Sequence, residues 1–283
     1  MQTVTDAAAL RAAIRAWRSQ GQAVGFVPTM GNLHDGHYSL LRIARSRAER
    51  VVASVFVNPT QFGPNEDYAR YPRTLAQDQA GLAAHGCDLL FAPDVATIYP
   101  SGPERTVTVH VPGVTAVLEG AHRPGHFDGV ATVVTKLLNL VQPDVAVFGQ
   151  KDWQQLLVVK ALVRDLALPV QIVPGPTMRE PDGLAMSSRN QYLGAEERAR
   201  APAIHATLAW MRAALRAGHP REVVEAAALK RLEHAGFTPD YAVIRRAEDL
   251  AEPAAGESAG LIALIAARLG ATRLIDNLPF DGL

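Results

Sequence analysis

The segment Pro28-Thr29-Met30-Gly31-Asn32-Leu33-His34-Asp35-Gly36-His37 sets two imidazoles three residues apart, where an apolar run gives way to helical spacing. At that interval both rings share one face of a first helical turn. Gly36 removes a Cβ that would crowd a phosphate, and backbone N–H groups at a helix start favour anions. This pattern predicts a nucleotide phosphate cradle. Two solvated histidines, or one that caps the turn, would leave the same trace. No Gly-x-Gly-x-x-Gly and no Gly-Lys-Ser/Thr stands here, which weakens dinucleotide and P-loop readings.

A second group is Leu184-Ala185-Met186-Ser187-Ser188-Arg189-Asn190, where two hydroxyls and a guanidinium on a turn can donate to phosphate oxygens as charge develops. Alone, it is also an ordinary polar loop. Between the two lie Phe148-Gly149-Gln150-Lys151-Asp152-Trp153-Gln154-Gln155 and Phe56-Val57-Asn58-Pro59-Thr60-Gln61-Phe62, each after an apolar run. Lys151 can pair with phosphate, while Gln61 and Gln155 offer amides to the hydroxyls and carboxylate of a small polar substrate. A surface lysine and two turn glutamines are the plainer alternative.

These residues need a scaffold that brings several loops together. Ala23–Val27 and Val51–Val57 are apolar on both faces, as strands covered by helices on both sides must be, and Asp88–Phe91, Val145–Phe148 and Val170–Val173 read as further strands. Helical spacing runs from Thr5, an N-cap, to Gly21, and again over Gly36–Arg47, Thr74–His85, Phe127–Val141 and Asp152–Leu166. Alternation of this kind predicts an α/β fold, a Rossmann-like doubly wound parallel sheet over residues 1–176, with every motif leaving the same sheet edge. Beyond Pro174-Gly175-Pro176 two Ala-rich helices, near 195–217 and 220–235, precede strands near Tyr241–Ile244, Leu261–Ile265 and Arg273–Asp276. Residues 177–283 are therefore expected to form a smaller C-terminal α+β domain.

Composition narrows the classes. With 28 basic against 28 acidic residues in 283, the chain lacks the excess positive charge of a non-specific nucleic-acid or membrane binder. The single cysteine, Cys87, allows neither an internal disulfide nor a cysteine zinc site, and its apolar surroundings predict packing rather than reactivity. No secretory signal pattern opens the chain, and the longest apolar stretch, Leu261–Ala267, is far below the ~20 residues that span a bilayer. A cytoplasmic protein without nucleic-acid or membrane partners is expected.

Taken together, His34-Asp35-Gly36-His37 and Met186-Ser187-Ser188-Arg189 resemble the HIGH and KMSKS signatures of the nucleotidylyl-transferase superfamily, which attacks the α-phosphate of ATP. Further stretches sharpen the likeness: Tyr71-Pro72-Arg73-Thr74, Leu118-Glu119-Gly120, Arg123-Pro124-Gly125-His126-Phe127, Asp182-Gly183-Leu184 and Arg273-Leu274-Ile275-Asp276-Asn277. In order and spacing the whole set is similar to the pantothenate synthetases, or pantoate–β-alanine ligases. Two departures are Gln150, where many relatives carry Glu, and Ala185 in place of the first KMSKS lysine, the latter shared with that family.

The resemblance implies ATP-dependent condensation of (R)-pantoate with β-alanine to pantothenate, AMP and diphosphate through a pantoyl-adenylate. It implies ATP binding by Met30, Gly31, Asn32, Leu33, His34, Asp35, Gly36, His37, Gly149, Gln150, Lys151, Asp152, the backbone at Met178, and Met186, Ser187, Ser188 and Arg189. His37 would be the proton donor, with His34, Lys151, Ser187, Ser188 and Arg189 stabilising phosphate charge. Gln61 and Gln155 would hold pantoate with Asn58 nearby, Arg123 and His126 would line the β-alanine approach, and Asp78 would help place Mg²⁺. A homodimer is implied as well. A reactive adenylate calls for a lid, for which Gly63–Tyr68, the Ser-Ser-Arg loop and residues beyond about 177 are the expected parts. Three other readings stay open: a nucleotidylyltransferase with a phosphorylated acceptor, a nucleotide-binding regulator without turnover, and, less favoured for want of a basic appendage, a tRNA ligase.

Overall fold

Strand β1, Gln2–Val4, precedes helix α1, Ala7–Arg18, in a computed structural model that describes residues 1–64 and 66–280. Three residues are too few to show a period, so β1 has no sequence signature. The cap of α1 is Asp6 rather than Thr5: its carboxylate accepts from Ala9 N–H at 2.8 Å. There follow β2 Val24–Thr29, α2 Asp35–Arg45, β3 Arg50–Val55, α3 Leu75–Ala84, β4 Leu89–Phe91, α4 Val95–Ile98, α5 Glu119–His122, α6 His126–Val141, β5 Val145–Gly149, α7 Trp153–Asp165 and β6 Gln171–Gly175.

The six strands pair in parallel in the order β1-β4-β3-β2-β5-β6. Alternate residues of one strand feed two apolar layers, as a period of two dictates. Phe26, Val52, Phe91 and Phe148 pack with Leu10 and Ile14 of α1 and with α6 and α7. Val27, Ala53, Leu90 and Val147 pack with Leu40, Leu41 and Ala44 of α2 and Leu82 of α3. From β2 the chain steps outward to β3 and β4, and from β5 it steps the other way to β6, so the direction reverses between β2 and β5. In sheets of this kind ligands bind outside the carboxyl ends of the strands at such a reversal.

Contacts divide the chain into one unit of Met1–Gln150 and Gln154–Pro176 and another of Lys151–Trp153 together with the chain from Thr177 onward. In the second unit helices α8 Ala195–Arg200, α9 Ala203–Arg216 and α10 Arg221–His234 precede the antiparallel sheet β7 Thr238–Arg246, β8 Leu261–Leu269 and β9 Thr272–Pro279. The helix expected around 195–217 is broken at Pro202, which has no N–H to continue the ladder. Leu208, Met211, Val224 and Leu232 from the helices meet Ile244, Ala263 and Ile265 of the sheet in a separate core.

Candidate active site

The β2–α2 loop leaves the sheet at its reversal point. Gly31 and Asn32 both adopt positive φ, 84° and 52°. This turns successive N–H groups inward, where Asp78 of α3 collects them: Oδ2 accepts from Asn32 N at 3.0 Å and Oδ1 from Leu33 N at 2.8 Å. Thr74 Oγ1 donates to the same carboxylate at 3.1 Å, and Asp78 is 1% exposed. With three donors on its oxygens, Asp78 anchors the loop.

His34 is the N-cap of α2. Its Nδ1 accepts from Gly36 N at 3.2 Å while its own N–H donates to His37 Nδ1 at 3.3 Å, a reciprocal box built from two imidazoles. The expected cradle of backbone N–H groups is thereby corrected. Asn32, Leu33, His34 and Gly36 donate theirs inside the protein. What the arrangement supplies is a fixed tautomer: a neutral ring that accepts at Nδ1 carries its proton on Nε2. The two rings lie 4.1 Å apart, centroid to centroid. Of the readings the sequence offers, the structure shows the cap: His34 closes the first turn of α2 and orients both rings.

After β3, Asn58 caps the 3₁₀ turn Pro59–Gln61. It is 1% exposed, and its amide is fully engaged: Nδ2 donates to Gln61 Oε1 at 3.0 Å and Gly129 O at 3.2 Å, while Oδ1 accepts from Tyr99 Oη at 2.7 Å. Asn58 is thus an orienter of Gln61, not a substrate contact. With Oε1 occupied, the Gln61 amide nitrogen points to Met30 Sδ at 3.2 Å. Gly129 permits this closeness, because a Cβ there would stand 2.3 Å from Thr60 O.

Arg123 and His126 form one network with the same turn. Arg123 Nε donates to Glu66 Oε1 at 2.7 Å and Nη2 to Oε2 of the same carboxylate, while Nη1 donates to His126 Nε2 at 3.0 Å. His126 Nδ1 donates in turn to Gln61 O at 2.8 Å. Burial, with the adjacent Arg123 charge, pushes the His126 pKa down to about 4, so the ring is neutral as this chain of bonds requires. Burial opposes ionisation of Glu66, but its hydrogen bonds to Arg123 outweigh that and hold it below the usual range. Glu66 lies in the expected lid Gly63–Tyr68, of which Asn65 falls outside the described residues; no periodicity marks Glu66 as a partner of Arg123.

At the end of β5, Gln150–Asp152 form a 3₁₀ turn carrying Lys151, whose side chain is 19% exposed with Nζ 4.0 Å from Asp152 Oδ1. The neighbouring glutamines separate in role. Gln154 Nε2 donates to Val114 O and Val117 O at 2.7 and 2.8 Å, and its Oε1 accepts from Glu119 N. Gln155 is half-buried and makes no hydrogen bond of this kind among the described residues.

In the second unit Met178 O accepts from Met186 N at 2.9 Å, which closes a hairpin. Ser187 caps the 3₁₀ turn Ser188–Tyr192 through Oγ, which accepts from Arg189 N at 3.3 Å. Asn190 Nδ2 donates to Ala185 O at 3.0 Å, and Ser187, Ser188 and Arg189 are all partly exposed. Among the described residues no three His, Cys, Asp or Glu side chains gather as a metal cage, and no helix is long and apolar enough to cross a membrane.

A parallel sheet with paired, tautomer-fixed histidines at its reversal point defines an enzyme class that handles nucleotide phosphates. Comparison with known proteins narrows the class. The family model described as pantoate–β-alanine ligase matches residues 2–279. The chain is 59% identical to pantothenate synthetase of Xanthomonas oryzae pv. oryzae strain MAFF 311018, over 99% of this chain and 100% of that one. It superimposes on pantothenate synthetase from Thermus thermophilus with a TM-score of 0.92 and 50% identity, covering 99% of each chain. Against pantoate–β-alanine ligase from Francisella tularensis, complexed with β-γ ATP and β-alanine, the TM-score is 0.83 and the identity 34%, over 99% and 98% of the chains. The chain belongs to the pantoate–β-alanine ligase family.

Proposed function

We propose that this chain condenses (R)-pantoate with β-alanine, driven by ATP, to give pantothenate, AMP and diphosphate. The match over residues 2–279 carries the reading. In the first step a pantoate carboxylate oxygen attacks the α-phosphorus in line, and the bond to the bridging oxygen of diphosphate breaks. Both reactants are anions, so the step needs donors fixed before they meet. His34 and His37, each with its ring proton set on Nε2, would donate to the charge that develops, and Lys151, Ser187, Ser188 and Arg189 would share it. In the second step the neutral amine of β-alanine attacks the acyl carbon, loses a proton, and AMP departs.

Gln61, with its carbonyl held by Asn58, would present the amide nitrogen to pantoate, joined by Gln155. Arg123 would meet a substrate carboxylate only by sharing or leaving Glu66. Mg²⁺ would accompany the ATP phosphates and offset their charge, as it does where no all-protein cage exists. A cytoplasmic homodimer, and a covering role for residues 177–283, complete the proposal; a chain ending at residue 176 should lose turnover. The deciding experiment is isotope exchange of diphosphate into ATP, with and without (R)-pantoate and with β-alanine omitted. Exchange that depends on pantoate supports the adenylate step. No exchange from folded protein that binds ATP would transfer the argument to another acceptor.

A further inference from the structure

Asp276 and Asn277 are neighbours on β9, only 2% and 3% exposed, and the reaction just described gives neither a task. Asp276 takes both prongs of Arg179: Nη1 donates to Oδ2 at 2.6 Å and Nη2 to Oδ1 at 3.0 Å. Arg179 sits at the base of the hairpin that bears the Ser-Ser-Arg segment. Its Nη1 also donates to Gly183 O at 3.1 Å, and it forms a β-bridge with Ala185. His205 of α9, whose Nδ1 lies 3.9 Å from Asp276 Oδ2, also presses against the hairpin at Gly183, whose φ is 94° and where a Cβ would lie 2.9 Å from the ring. The segment Met186–Arg189 therefore inherits its position from Asp276.

Asn277 performs the matching task one residue on. Its Nδ2 donates to the carbonyl of Lys151 at 2.8 Å, and the same turn is tied again by Trp153 Nε1, which donates to Ala247 O at 2.8 Å. Consecutive side chains of a strand point to opposite faces, so a dipeptide is the shortest element that can grip two separate loops. The two ties are also rigidly linked, since Asp276 Oδ1 accepts from Asn277 N at 2.8 Å and Arg179 Nη2 donates to Asn277 O at 3.3 Å.

We propose that Asp276 and Asn277 are a paired positioning device that holds the Ser187-Ser188-Arg189 hairpin and the Lys151 turn in a single fixed arrangement. The proposal rests on the reading that both loops meet the ATP phosphates. Neither residue is catalytic; they act through the loops they hold. A misplacement near 1 Å in such a site costs about 100-fold in rate, so either tie should govern the chemical step.

The test uses the full chain with Asn277→Asp, which puts an acceptor opposite the Lys151 carbonyl, and Arg179→Lys, which keeps the charge but not the fork. Asn277→Ala and Asp276→Asn stand in reserve should either variant fail to fold. Hydrogen exchange is followed in peptides covering 149–153 and 178–190, beside kcat and KM for diphosphate exchange. Asn277→Asp should speed amide exchange at least tenfold in 149–153 alone, and Arg179→Lys in 178–190 alone. In both, kcat should fall about tenfold or more at unchanged pantoate KM, with one cooperative melt, and the double variant should lose less than the product of the two. Loops that stay protected, or a rate that falls only with the folded fraction, would overturn the proposal. Should the unaltered chain show no pantoate-dependent exchange, the functional reading fails on its own, and hydrogen exchange still decides whether the dipeptide holds the loops.

Discussion

The β2–α2 loop and the 178–190 hairpin carry comparable donors and are fixed in opposite ways. His34 and His37 hold each other across three residues, with Asp78 gathering the loop's N–H groups beneath them. The hairpin depends on Arg179 reaching Asp276, 97 residues further along the chain. In the first arrangement the His34–His37 pair is local and forms wherever α2 forms, while its supporting carboxylate comes from α3, 45 and 46 residues on. The second exists only when β9 is in place. One segment is thus ordered largely from within and the other by a distant strand, and substitutions should tell the two apart.

The largest effect is expected at Lys151, whose turn is tied to the same distant strand. Lys151→Ala should cut single-turnover adenylate formation by about 100- to 1,000-fold, the range for losing one charge-stabilising donor, with an unchanged melting curve. Near-normal adenylation would remove Lys151 from the chemistry. Next comes His126, a buried group at the start of α6 that is tied to Gln61. Its pKa is lowered from 6.5 to about 4, so as pH falls the unfolded chain takes up a proton first. The stability this represents is complete above about 6.5 and is lost between about 6.5 and 4, up to roughly 3 kcal/mol for a shift of this size. Denaturant titrations of His126→Asn across that window should slope less steeply than those of the native chain; equal slopes would mean that other groups carry the dependence.

His34 offers a finer cut, because its cap and its ring are separable. His34→Ala should cost about 1 kcal/mol, the usual loss for an N-cap, and also slow diphosphate exchange. His34→Asn keeps a capping side chain, so it should restore the melting temperature while exchange stays at least tenfold down. Recovery of both would reduce His34 to a structural cap. The smallest effect is expected at Cys87. It is buried, its thiol donates to Leu89 O at 3.2 Å, and burial pushes its pKa up to about 11. Native protein should resist a thiol reagent that labels the unfolded chain, and Cys87→Ala should change kcat by less than twofold.

The same contrast between local and imported order explains how much of the molecule its sequence discloses. The parallel sheet is legible because Val51–Val57 and Val145–Phe148 are apolar on both faces, and the motifs at the carboxyl ends of β2, β3 and β5 can be placed from that alone. The His34–His37 pairing is half legible: spacing puts the rings on one face, but their mutual capping needs the actual turn. Asn58 and Gln61 read alike as amides on a loop, and only the bond from Tyr99, some 40 residues later, distinguishes the orienter from the presenter. That Asp78 gathers the N–H groups of Asn32 and Leu33 is not legible, because a sequence does not show which donors a carboxylate meets. Strand β1 and the break at Pro202 escape the sequence reading for local reasons, one too short to show a period and the other hidden by alanine on both sides.

Lys151 and Asn277 stand 126 residues apart, yet one hydrogen bond joins them. During synthesis at about 5–20 residues per second, the lysine turn would be made roughly 6–25 seconds before its anchor. A nascent chain would by then hold the completed parallel sheet with the Lys151 turn not yet fastened. Ribosome-bound chains arrested short of residue 277 should therefore be inert toward ATP, and release of the last strand should switch them on; activity in arrested chains would show that the turn organises alone. The Lys151 turn is thus fastened by a strand synthesised well over a hundred residues after it.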